Sequence, residues 1–190
     1  MVRNSSTRLR LGAISAMAVV LAALAGPPAS AAGPAPQQTE AVNKDLVGFT
    51  NGTLLHELGH ALVYFYELPI TGKEEDAVDQ LSLLLLVGDE KHADYALSTI
   101  NAWAALANAD EQGQRPIEAY ADQHSLEAQR YYNWVCWLYG SDPEGYADAV
   151  ATADNPNGSL PEDRAQQCPT EFDSINNSWS TLLAPYLKDQ

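Results

Sequence analysis

The stretch Leu55-His56-Glu57-Leu58-Gly59-His60-Ala61 decides how the rest of the chain is read. Two imidazoles four residues apart share one face of a helix, where both reach a single tetrahedral zinc ion. The flanking residues agree. Leu46, Phe49, Leu54, Leu58, Ala61, Leu62 and Phe65 recur at helical spacing and predict a helix from about Asp45 to Tyr66. Gly48, Gly52 and Gly59 are its weak points, because glycine is a poor helix former. Glu57, one residue after the first imidazole, is placed to take a proton from a metal-bound water and pass it to a leaving amine.

A catalytic zinc takes three protein ligands and leaves one position for water, so a third donor is needed beside His56 and His60. A nearby acid, His92 and His124 are the candidates. Leu68-Pro69-Ile70-Thr71-Gly72 ends the first helix, and a second is predicted from Glu74 to Val87, its acidic first turn matched to the helix dipole. Glu75 and Asp79 stand four residues apart on that helix. This spacing lets Glu75 bind the metal while Asp79 accepts a hydrogen bond from the outer N–H of a ligand histidine. Glu74 and Asp76 point elsewhere and are read as solvated, with Glu74 kept as the second choice of ligand.

Further downstream the pattern stays helical. Helices are expected from about His92 to Ala107, from Ile117 to Tyr139 with a possible break at Asp122 to Ser125, from Asp142 to Ala153, and from Glu171 to Tyr186. No clear alternating strand occurs. The fold class is therefore mainly α with at most a small β remnant, for which the segment before Leu54 is the best place. Cys136 and Cys168 are expected to pair as a disulfide, since both fall in the part of the chain expected to be exported. The aromatic group Tyr131, Tyr132, Trp134, Trp137 and Tyr139 is assigned to core packing rather than to a cleft wall.

Upstream, residues 1–31 have the parts of a secretory signal peptide. Arg3, Arg8 and Arg10 precede an apolar run from Leu11 to Leu24, and Ala29-Ser30-Ala31 supplies small residues for cleavage. The run is short for a membrane span and stops at Pro27-Pro28, so a secreted protein without stable membrane insertion is expected. Residues 32–42 read as a disordered spacer and 43–190 as one domain. Loss of the three arginines takes the formal charge from −15 to −18. Such acidity argues against nucleic acid as a partner.

These residues support a comparison. His56 to His60 followed by Glu75 and Asp79 resembles the gluzincin class of zinc peptidases. A closer likeness is to a bacterial family of metallopeptidases known as a domain of unknown function, DUF4344. The likeness includes His56 to Leu62, Leu68-Pro69 with Gly72, Glu74-Glu75-Asp76 with Asp79-Gln80, His124-Ser125-Leu126 with Gln129-Arg130, Tyr132-Asn133 and Cys136. It continues through Tyr139 to Pro143, Leu160-Pro161-Glu162, Arg164 and Cys168-Pro169. The resemblance implies a zincin-like helical domain with an active-site helix and a following Glu-bearing helix, zinc as cofactor, and a peptide or protein substrate.

A gluzincin fold places a small sheet before its active-site helix, yet the mature chain has only residues 32–55 before His56. Peptide hydrolysis also needs a donor to the developing oxyanion. His124 is the candidate, with Asp122 to orient it and Arg130, Tyr131 and Tyr132 nearby. A surface histidine at a helix boundary is the competing reading of His124, and His92 is read as solvated. The alternative to an enzyme is a non-enzymatic, zinc-stabilised extracellular binding or inhibitory module, in which the metal ties the first two long helices together. Glu57 separates the two, because a structural site has no use for a carboxylate there.

Overall fold

The computed structural model describes residues 36–89, 92–111 and 115–187. The proposed signal peptide and its cleavage site lie outside them. The fold is mainly helical: α1 (Pro36–Tyr66), α2 (Glu74–Val87), α3 (Ala93–Glu111), α4 (Glu127–Ser141), the single-turn α5 (Glu162–Ala165) and α6 (Cys168–Leu183). No described helix is long and apolar enough to cross a membrane.

Among the described residues α1 covers Pro36–Tyr66, so it takes in most of the 32–42 stretch expected to be a spacer. No proline or glycine interrupts it between Pro36 and Gly48. Among the described residues no remnant sheet occurs before Leu54, since helix occupies 36–54. Among the described residues the β component is one isolated parallel bridge, Val150 with Leu160. Glu67 ends α1 in the left-handed region (φ 50°), and Leu68 N donates to Val63 O at 3.0 Å, the six-to-one bond of a Schellman close. That close turns the chain back on itself, and α2 returns antiparallel to α1.

α2 is the centre of the domain. Val78, Leu81, Ser82, Leu83 and Leu86 are almost wholly buried, and the helix packs against α1, α3, α4 and α6. The glycines that looked like weak points in α1 are where its neighbours come closest. A Cβ at Gly52 would lie 2.5 Å from Thr99 Oγ1, and Ser82 Oγ donates to the Gly52 carbonyl at 2.7 Å. Helix propensity is given up at Gly52 for interhelical approach.

Two boundaries differ from expectation. The helix predicted from Ile117 is a 3₁₀ turn, Ile117–Ala121, and α4 starts only at Glu127. Asp122 Oδ1 accepts the His124 N–H at 2.8 Å, an Asx-type bond that diverts the backbone, and Gln129 Oε1 caps α4 by accepting Leu126 N–H. The helix expected from Asp142 to Ala153 is reduced to a 3₁₀ turn at Ala147–Ala149, because Asp142 Oδ1 takes the Gly145 N–H and closes a turn instead. Cys136 on α4 and Cys168 on α6 are joined by a disulfide, with Cα atoms 5.2 Å apart. Trp134 and Trp137 are core residues, as assigned, whereas Tyr132 is half exposed.

Candidate metal centre

The antiparallel register of α1 and α2 builds the centre. His56 faces Asp79, His60 faces Glu75, and Gly52 faces Ser82, one pairing rule held over about two helical turns. Gly59 sits between the two histidines and faces Val78, whose Cβ would be 2.7 Å from any Cβ added there. The smallness of Gly59 lets the helices close until their polar side chains meet.

Three ligand-type atoms converge. His56 Nε2 and His60 Nε2 are 3.2 Å apart, and each lies 3.1 Å from Glu75 Oε2. Donors held about 2.0–2.1 Å from a tetrahedral ion stand about 3.3 Å from one another, so this triangle has nearly the dimensions of one face of such a site. His56, His60 and Glu75 also form the one group of His, Cys, Asp or Glu that could hold a metal ion among the described residues.

The outer nitrogens of both rings are tied. His56 Nδ1 is 2.7 Å from Asp79 Oδ1, and His60 Nδ1 is 2.8 Å from Glu74 Oε1. A proton on each Nδ1 satisfies these contacts and leaves each Nε2 lone pair directed at the cluster. Glu74, expected to be solvated or a reserve ligand, therefore has a different position: it faces the far side of His60.

Electrostatics follow from these neighbours. Burial alone would push the Asp79 carboxyl up, but hydrogen bonds from His56 and Arg130 and the Arg130 charge reverse this and hold it below the usual carboxylate range. Burial likewise disfavours charge on His60, yet Glu74 and Glu75 outweigh it and raise its pKa. Arg130, considered from sequence beside the oxyanion candidates, is engaged with Asp79. Its Nε and Nη2 donate to Asp79 Oδ2 and Oδ1, both at 2.7 Å.

His124 lies at the edge of the centre. Its Nε2 is 3.0 Å from Glu75 Oε2 and its Nδ1 is 3.0 Å from Asp122 Oδ1, with the ring stacked 6.3 Å from that of His56. Lys73 Nζ ties the same loop down through the carbonyls of Asp122 and His124. Glu57 is exposed, with no hydrogen bond or ion pair among the described residues, and its spacing brings it alongside His60 on the surface of α1. His92 is remote from this group and pairs with Asp89. Tyr131 is also engaged elsewhere, its hydroxyl meeting Ser159 Oγ.

The part that sequence reading missed is the joining of Arg130 to Asp79. Fifty-one residues separate them, and no spacing rule spans that distance. No curated protein and no solved structure matches the chain. A family model does match, over residues 29–183, and by that match the chain belongs to the family DUF4344, described as "Putative metallopeptidase".

Proposed function

We propose that this chain is an exported, zinc-dependent peptidase in which His56, His60 and Glu75 hold the metal and Glu57 is the general base. The observation that carries the reading is the triangle of two Nε2 atoms and one carboxylate oxygen, 3.1–3.2 Å on each side, with the exposed Glu57 one residue after His56 in α1. Zinc held there would supply Lewis-acid polarisation of a scissile carbonyl and a water acidified towards neutral pH. Glu57 would accept a proton from the attacking water and return it to the leaving amine. His124, held by Asp122, donates a hydrogen bond to the oxyanion as it develops.

Three protein donors, with His124 outside the group, favour an enzyme over a closed structural site, which uses four. The signal-peptide pattern of residues 1–31 supports export.

The test is a proteome-derived peptide library offered to the purified mature protein with and without a chelator. Chelator-sensitive cleavage is expected. Glu57→Gln should keep stoichiometric zinc while losing roughly 10²- to 10⁴-fold in rate. Protein that takes up no zinc, or a Glu57→Gln variant as active as wild type, would overturn the reading.

A further inference from the structure

Four helices contribute to one continuous chain of contacts that ends at the metal centre. His56 of α1 meets Asp79 of α2, Asp79 is gripped at both oxygens by Arg130 of α4, and the Arg130 guanidinium lies 3.7 Å from the ring centroid of Trp103 on α3. The side chains of Asp79 and Arg130 are 4% and 12% exposed. Neither is a surface ion pair free to sample other geometries.

We propose that Arg130 is a positioning residue for the metal centre: by fixing both oxygens of Asp79 it fixes the orientation of the His56 ring, and thereby tunes metal affinity. The proposal rests on the zinc site above, and it adds a residue that no ligand touches. An aspartate accepting one bond from His56 could still rotate about its side-chain torsions and carry the imidazole with it. The bidentate fork removes that freedom, because two parallel N–H···O bonds define the carboxylate plane as well as its position. Trp103 in turn holds the guanidinium plane through its ring face. Each link leaves the next with one orientation, and the last places His56 Nε2 3.1 Å from Glu75 Oε2.

Lysine cannot substitute for this geometry. It would restore the charge but offers a point donor without the planar fork. A role confined to neutralising buried Asp79 therefore predicts that Arg130→Lys behaves as wild type. A positioning role predicts that it does not.

The experiment measures zinc affinity by competition with a chromophoric chelator for wild type, Arg130→Lys, Arg130→Met, Asp79→Asn and the double variant Asp79→Asn/Arg130→Met. Removing an outer partner of a metal-ligating histidine lowers affinity about 10- to 100-fold, and Arg130 acts one step further out. Arg130→Met is expected to weaken zinc about tenfold, and Arg130→Lys to fall between it and wild type. In the Asp79→Asn background the Arg130 substitution should have no further effect, because its influence passes through Asp79.

If Arg130→Met does not fold, the lysine variant and the double variant, which lacks the unpaired buried charge, carry the comparison. Arg130→Lys with wild-type zinc affinity would overturn the proposal, and so would equal losses in both backgrounds. Wild-type protein that takes up no zinc would instead sink the zinc reading itself, so the two failures are separable.

Discussion

Gly59 of α1 lies so close to Val78 of α2 that an added Cβ would stand 2.7 Å from the valine Cβ. The glycine between the two histidines is thus a packing requirement of the α1–α2 interface. Gly59→Ala gains helix propensity of about 1 kcal/mol, but overpacking a tight contact costs about 1–3 kcal/mol. A net loss of stability is expected in urea unfolding. The same wedge spreads His60 from Glu75, so zinc affinity should drop as well. A variant of unchanged stability and affinity would show that Val78 yields without consequence.

The three ligand candidates and Asp79 could be read from sequence because the chemistry repeats locally, at i and i+4 on each of two successive helices. A short loop then leaves few ways to face them. Arg130 and Trp103 were not legible in that role, since their contacts depend on how α3 and α4 dock. Glu74 lies off the Glu75–Asp79 face by helical spacing, and its half-exposed side chain still reaches His60 Nδ1, a contact that spacing alone does not show. The glycines of α1 were legible as breaks in propensity and not as contacts, because propensity says nothing about what lies opposite.

Glu74 and Glu75 are adjacent, and both touch His60, but at different nitrogens. Glu75→Gln should abolish stoichiometric zinc, because it removes one of three donors. Glu74→Gln should leave a loaded site weakened by about 10- to 100-fold, as expected of a partner on the outer nitrogen. Zinc titrations with a competing chelator separate them. The reverse order would make Glu74 the ligand.

The disulfide joins α4 to α6, both of which also pack against α2. Its two cysteines are separated by 32 positions, and closing a loop of that size restricts the unfolded chain by about 3–4 kcal/mol. Replacing both cysteines with alanine should lower the urea midpoint accordingly. Zinc affinity in the folded protein should be unchanged, since neither cysteine belongs to the metal cluster. A large loss of zinc would reveal coupling between the disulfide and the metal centre.

Metal uptake should be linked to protons through His60. Burial opposes its charge, but Glu74 and Glu75 hold its pKa above the usual 6.5 in the metal-free chain. For the metal-free fold the sign is that of a raised histidine: the stabilisation is full below about pH 6.5 and is lost as the pH rises through the higher folded-state value. Zinc takes only the neutral ring, so it must displace the proton that this environment favours. Apparent zinc affinity should therefore begin to fall while the pH is still above 6.5. Glu74→Gln removes one of the carboxylates that raise the His60 pKa, so the pH at which affinity falls should move lower even as affinity at high pH decreases. Chelator competition across roughly pH 5.5 to 8.5 reads both effects. A profile displaced in affinity but not along the pH axis would mean that another group carries the linked proton.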